Sequence, residues 1–451
     1  MITNKKLDLK IINGNVLLTT ATGELKELKT DLGITNGIIS SIGELKTTES
    51  EKTFEASGLH ILPGLIDTQV HFREPGLTHK EDLESGTKAA VLGGITAVFD
   101  MPNTNPSTTT RELFNEKVNL IKNRAWCDVG FYIGGCAENA NQLAELEQMN
   151  GCCGVKIFMG SSTGSLLVDD DIKLDLILKN GIKRIAAHCE DEARIKERKS
   201  IAIEGKSVRY HHIWRDEETA LIATQKLIHY AKKNKRPVHV LHVSTAQEME
   251  FLAAYKNWAT VEVLPQHLTL STPECYERLG NFAQQNPPLR NAGHVAALWK
   301  ALSKGVVDII GSDHAPHTIE EKKREYPSSP SGMPGVQTLV PIMLNHIHEE
   351  KLTLKHFVQL TSVNPSKIFN IKGRGFINIG APATLTVVDL KAEKRIENSW
   401  IASRSAWTPY DGMKVTGWVT STIIRGQIIM QDDTLIKDKQ GQLLEFEARS
   451  S

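Results

Sequence analysis

Between Ile61 and His348, short apolar runs alternate with stretches of helical periodicity, so that strand and helix patterns follow one another along most of the chain. The runs are ILPGLIDTQVHF, TAVFDMP, CDVGFYIG, GVKIFMG, RIAAHCE, PVHVLHVS, ATVEVLPQH and VDIIGSDHAPH. Their apolar character is that of parallel strands buried on both faces. Amphipathic stretches follow at Leu83 to Leu92, Thr110 to Lys122, Asn141 to Met149, Ile172 to Lys179, Asp216 to Lys233, Ala246 to Lys256, Gly293 to Ser303 and Val336 to His348. Eight such βα units predict an α/β fold, a (β/α)8 TIM barrel, with every strand ending on one common face. A doubly wound open sheet is the alternative arrangement of the same units.

The two ends of the chain have another texture. LDLKIING, Asn15 to Thr19, LGITNGIISSIG with its Asn36-Gly37 turn, and TFEASGLHILPG read as short strands with turn punctuation. GFINIGAPATLTVVDL and KVTGWVTSTIIRGQIIMQDD repeat that texture towards the C terminus. Neither ribbon buries much surface alone. The expectation is one small β-sandwich domain built from residues 1–60 and 371–451, beside a barrel spanning 61–370. Two independent β appendages are the alternative.

The 451 residues exceed what one ordinary core holds, in line with two domains. Lys plus Arg equals Asp plus Glu at 53 each, which leaves no long-range field to attract nucleic acid or an anionic membrane. A small-molecule partner is expected instead. The six cysteines contain no CxxC pair and predict reduced thiols. The start of the chain lacks an apolar h-region and no later run approaches a membrane span, so the expectation is a soluble, cytoplasmic protein.

Candidate chemistry gathers at the predicted strand ends. Period-2 alternation puts Asp67, Gln69, His71 and Arg73 on one face of the first strand. Lys156 ends the fourth strand, His188 the fifth, His242 the sixth, and Asp313, His314 and His317 the eighth. Neutral imidazoles with a carboxylate suit Zn²⁺ or a similar divalent ion. A lysine among them is out of place as an ammonium, since burial and like charge both lower its pKa. A neutral amine can add CO₂ to form a carbamate, an anion whose two oxygens can bridge two metals. The bland alternatives are an edge strand with a wet face, a solvated Lys156, and a surface salt bridge from Arg73 to Glu74 or Glu81.

QVH in place of a metal-binding HxH, together with MPNTNP, GVKIF, AAHCED, LHVST, NPPLR and GSDHAPH, resembles the amidohydrolase superfamily and, within it, dihydroorotases of the bacterial type. The resemblance covers nearly the whole chain. MPNT, NPPLR, GSDHAPH and the REPG after His71 separate that pattern from the hydantoinases and allantoinases. It implies one or two zinc ions, with His71, carboxylated Lys156 and Asp313 holding one and Lys156, His188 and His242 the other. It further implies that Arg73, Asn103 and His317 grip a substrate carboxylate and that Asn286 binds the ring amide. Gln69 departs from the pattern where the family has a histidine. An amide oxygen is a weaker donor, so the ion beside His71 and Asp313 is expected to be weakly held or absent; the alternative is coordination through the Gln69 oxygen.

The implied reaction is the reversible cyclisation of N-carbamoyl-L-aspartate to (S)-dihydroorotate plus water, a step of pyrimidine biosynthesis. In the hydrolytic direction a metal-bound hydroxide attacks the ring carbonyl while Asp313 serves as general base and then acid. A hydantoinase or allantoinase activity is one alternative. A catalytically silent subunit that stabilises a partner enzyme is another, raised by Gln69. Association of like subunits through barrel helices is expected without any residue stripe to mark it. The stretch from Pro316 to Gly335 reads as a long loop after the eighth strand, either a lid or a solvated excursion.

Overall fold

The computed structural model describes residues 6–20, 23–160 and 166–447. Eight parallel strands lie side by side in chain order: Leu65–Val70, Ile95–Asp100, Asp128–Gly134, Cys152–Phe158, Ile185–His188, Val238–Val240, Ala259–Val263 and Ile309–Ile310. A parallel bridge between Val70 and His314 joins the first strand to the extension of the eighth, and His71 N donates to His314 O at 2.7 Å. The sheet therefore closes, and the open doubly wound arrangement is excluded. Phe99, Tyr132 and Phe369 pack edge to face among Ile66, Ala97, Ala186, Leu241 and Ile309, so side chains fill the barrel interior.

The helices that follow begin where a short polar side chain can accept from the first-turn amides. Asp82, Thr110, Asp170, Asp216, Thr245 and Asn291 cap Leu83–Leu92, Arg111–Leu120, Asp171–Lys179, Glu217–Lys233, Ala246–Ala253 and Ala292–Ser303. The structure adds short helices with no legible amphipathic period, among them Glu192–Glu197, Lys199–Gly205 and Pro265–Thr269. Among the described residues no helix is long and apolar enough to cross a membrane. All six cysteines are free and buried.

Both chain ends enter one nine-stranded sheet. His60–Pro63 lies between Leu7–Thr19, which it meets in parallel, and Leu385–Arg395, which it meets antiparallel. Leu9, Ile11, Val16, Leu32 and Ile34 share a core with Leu385, Val387 and Ile423, so the two ends do not form independent appendages. LDLKIING and Asn15 to Thr19 are one strand rather than two: its register shifts between Ile11 and Gly14, where Asn13 takes φ +64° and its N–H donates to Asp31. Asn36 and Gly37, at φ +53° and +74°, form the predicted hairpin turn. Beyond Thr434–Leu435 the chain returns to the barrel, where Leu444 N donates to Val129 O at 3.0 Å. Asp128 there receives Arg374 and Arg425.

The apolar run from Ile61 to Ile66 is divided between the two sheets. Gly64 is the crossing point: its N–H donates to Thr384 O at 2.9 Å and its carbonyl accepts from Ser362 Oγ at 2.8 Å. A Cβ placed there would come within 2.4 Å of Thr96 Oγ1 and 2.8 Å of Thr384 Cγ2. Thr386 and Thr422 of the second sheet donate to Gly94 O and Val91 O of the barrel, each at 2.7 Å. Gly64→Val should wedge this seam apart and lower stability by about 1–3 kcal/mol, seen as a fall in Tm with the far-ultraviolet circular dichroism unchanged; an unaltered Tm would mean that the seam does not depend on close approach at this position.

Candidate active site

The C-terminal ends of the strands bring Gln69, His71, Arg73, Asn103, Lys156, His188, His242, Asn286 and Asp313 to the wall of one cavity, together with Phe158, Ala315, Ser331 and Gly332. Three of these residues hold backbone angles that side chains avoid: φ is +62° at Arg73, +40° at His242 and +46° at Asp313. Such strain persists only where surrounding structure over-determines it, and it clusters at sites of function.

Two cations are buried at this wall without counter-ions. Lys156 is 1% exposed; its Nζ sits 4.3 Å from the centroid of the Phe158 ring and meets no carboxylate within ion-pair distance among the described residues. Burial pulls its pKa down to about 7, so the amine is substantially neutral at physiological pH. A solvated lysine is thereby excluded. Arg73 is 8% exposed, donates through Nε to Pro316 O at 3.2 Å, and is pushed down to about 10 by burial. Neither Glu74 nor Glu81 pairs with it. Glu74 takes the fork of Arg124 and the N–H of Leu83, while Glu81 accepts from His314 and Ser403.

The histidines fall into two pairs. His71 Nδ1 lies 2.7 Å from Asn103 Oδ1, and its Nε2 lies 3.1 Å from Asp313 Oδ1. Burial lowers the His71 pKa, and Asn103 Oδ1 claims the single ring proton of the neutral form. The Nε2 lone pair then faces the carboxylate, an opposition that a cation between them relieves. Gln69 Nε2 donates to the same Asp313 oxygen at 2.9 Å, while Gln69 Oε1 is buried with no hydrogen-bond partner. In the other pair, His188 Nδ1 stands 3.0 Å from His242 Nε2. His188 Nε2 donates to Glu190 at 2.8 Å, and Glu190 is held in turn by Arg215. Burial lowers the pKa of both histidines, which leaves neutral imidazoles. Among the described residues, no group of three His, Cys, Asp or Glu stands ready to hold a metal ion. Lys156 lines the same cavity as both pairs. The donor chemistry fits a divalent ion once that lysine carries a carbamate.

His317 stands behind Arg73 rather than on the cavity wall. Its Nε2 is 3.0 Å from Ser331 O and 3.4 Å from Arg73 Nη2, and its Nδ1 is 3.1 Å from Lys80 Nζ. The loop after the eighth strand is built rather than solvated throughout. Ile319–Lys322 forms a capped helical turn, and buried Lys322 donates to Gln284 O, Pro330 O and Gly332 O at 3.0, 2.8 and 3.1 Å. Lys323 to Glu325 are exposed.

The chain matches the Amidohydrolase family over residues 60–429. It belongs to the amidohydrolase family. This amidohydrolase is 34% identical over 435 residues to the dihydroorotase of Methanosarcina acetivorans, covering 93% of this chain and 92% of that protein. It is 35% identical over 421 residues to the dihydroorotase of Thermococcus kodakarensis, covering 92% and 94% of the two. Among solved structures it resembles the L-hydantoinase from Arthrobacter aurescens, with a TM-score of 0.91 at 26% identity over 97% of this chain and 100% of that one.

Of the residues behind the cavity wall, one is marked in the sequence and others are not. Glu190 is visible in AAHCED as a carboxylate two residues from His188, and that spacing was a signal. Arg215 and Trp407 gave none; Trp407 Nε1 donates to His317 O at 2.8 Å from the second sheet's long connection. Lys156 carries its own physical test. A lysine whose pKa is lower folded than unfolded costs stability while it must be charged, and that cost disappears as pH rises from about 7 towards its unfolded value near 10.4. In metal-free, CO₂-free protein, Lys156→Met should therefore raise Tm, by an amount worth on the order of a few kcal/mol at pH 6, and the gain should shrink by pH 10; a variant less stable than wild type at both pH values would show that the amine has a partner.

Proposed function

We propose that this amidohydrolase is a dihydroorotase that catalyses the reversible cyclisation of N-carbamoyl-L-aspartate to (S)-dihydroorotate with loss of water, a step of de novo pyrimidine biosynthesis. The observation that carries the reading is Arg73, a buried guanidinium without a carboxylate beside the His71 and Asp313 pair. A hydantoin lacks the carboxylate that such a group would bind. The dihydroorotase relatives support the same reading.

In this account Lys156, carboxylated on Nζ as its partly neutral amine permits, would act with His71, Asp313, His188 and His242 to hold one or two zinc ions. The ion, when bound, supplies Lewis acidity that lowers the pKa of water and polarises the amide carbonyl. Asp313 accepts the proton of the attacking water and delivers it to the departing ring nitrogen; ring closure runs the same transfers backwards. Gln69 Nε2 keeps one oxygen of that carboxylate engaged and so orients the other. Arg73 takes the substrate carboxylate through its fork, with Asn103 beside it and His317 behind it. Asn286, on the same cavity, contacts the ring amide.

Metal-loaded protein should turn over dihydroorotate and carbamoyl aspartate and leave 5-substituted hydantoins and allantoin essentially untouched. Arg73→Lys should raise KM about 10- to 100-fold with a smaller change in kcat, because the bidentate fork is lost. Asp313→Ala should lower kcat by about 10³-fold or more without lowering Tm. Hydantoin turnover exceeding that of dihydroorotate would favour the hydantoinase reading, which the likeness to the L-hydantoinase structure supports. No turnover of any cyclic amide by metal-loaded protein would favour the silent subunit.

The ion beside Gln69 should be the weaker of the two. Anomalous diffraction from zinc-grown crystals should find high occupancy at His188 and His242 and little next to Gln69, and Gln69→His should fill the second position. Two equally occupied positions in the wild type would refute the role given to Gln69.

A further inference from the structure

We infer that Lys322 is a positioning residue whose buried ammonium fastens the cavity-lining Ser331 and Gly332 to the segment carrying Asn286, so that both meet the substrate as one unit. The inference rests on the proposed dihydroorotase reading for the identity of the substrate, though not for the fastening.

Lys322 belongs to the charged run from Glu320 to Glu325, yet it turns away from water. It is 0% exposed, whereas its neighbours Lys323 and Arg324 are exposed. Among the described residues no carboxylate lies within ion-pair distance of its Nζ. The acceptors are three backbone carbonyls, Gln284 O at 3.0 Å, Pro330 O at 2.8 Å and Gly332 O at 3.1 Å. A carbonyl only accepts, so three of them call for three N–H groups, and of the two forms of the amine only the ammonium has three. Burial by itself pulls the Lys322 pKa down to about 7, and hydrogen bonding of the charged form works against that pull.

The three carbonyls come from two separate segments, and other contacts repeat the same stitch. Gly332 N–H donates at 2.9 Å to Gln284 O, the oxygen that Lys322 also holds. Gln284 Nε2 donates back to Ser329 O at 2.9 Å and to Ser331 Oγ at 3.2 Å, while Ser329 Oγ donates to Lys322 O at 3.2 Å. On the barrel side, a Cβ at Gly332 would lie 2.5 Å from Ala315 O and 3.1 Å from His317 Cδ2. The fastened segment therefore rests directly on the extension of the eighth strand. Lys322 does not itself line the cavity. It holds the residues on either side of Ser331 and the carbonyl two positions before Asn286, and so acts on the substrate through them.

The test compares Lys322→Met with the wild type, as metal-loaded full chain with dihydroorotate as substrate. Methionine keeps the apolar stem and removes every donor. KM should rise about 5- to 20-fold with kcat within about threefold, because the loosened residues hold the substrate and not the reacting groups. Hydrogen exchange of the metal-free protein, read by mass spectrometry, should speed up in segments 284–286 and 329–333 together and stay unchanged in the barrel strands. Lys322→Gln retains two N–H donors; it should fall between the two proteins in both measurements, and it takes the place of the methionine variant if that one does not fold. A fall in Tm with KM and local exchange unaltered, faster exchange in 329–333 without 284–286, or loss of the fold in both variants would assign Lys322 to general stability and overturn the inference. Exchange needs no turnover, so a protein inactive on dihydroorotate would refute the proposed reaction while the fastening was still tested.

Discussion

The contact on which the site depends is the closure of the barrel between Val70 and His314. It joins the first strand to the extension of the last, more than 240 positions apart. Gln69 and His71 stand on one side of it and Asp313 on the other, and the hydrogen bonds of Gln69 and His71 to Asp313 exist only because the seam is made. The backbone pays for this approach with left-handed conformations at Arg73 and Asp313. Parallel pairing over such a separation has little local support, so it rests on the filled interior of Phe99, Tyr132 and Phe369 and on the helices packed outside.

Around that seam the electrostatics are deliberately incomplete. Buried cations in this protein generally have partners: Lys117 pairs with Asp100, Arg215 with Glu190 and Arg236 with Glu147. Buried Lys322 is satisfied instead by three backbone carbonyls, whereas Lys156 and Arg73 stand at the cavity wall with no carboxylate within ion-pair distance among the described residues, beside histidines that burial keeps neutral. A wall of neutral imidazoles, a largely uncharged amine and a guanidinium without a carboxylate costs stability, since the desolvation of these groups is not offset by ion pairing.

The second sheet is part of this machinery. Its threonine hydroxyls satisfy barrel carbonyls at Gly94 and Val91, and Arg425 reaches Asp128 at the start of the third barrel strand. Its connection between Leu385–Arg395 and Lys414–Ile424 sends Ser403 to Glu81 and Trp407 to His317. The region that looks like an accessory in sequence therefore braces the groups behind the cavity.

The alternation of apolar runs and helical stretches determined the eight strands and their following helices, because side-chain periodicity and capping residues act within a few positions of one another. The same local logic placed His71, Lys156, His188, His242 and Asp313 at strand ends. Where it misjudged, the cause was non-local. The run through Gly64 reads as one strand until Thr384 and Thr96 crowd the glycine from two different sheets, and LDLKIING joins Asn15 to Thr19 because Asp31 holds the bulge between them. Only the folded chain could decide that His317 would sit behind Arg73 and that Arg215 would reach the Glu190 carboxylate behind His188. Those choices depend on contacts between residues tens to hundreds of positions apart, whose partners no periodicity announces.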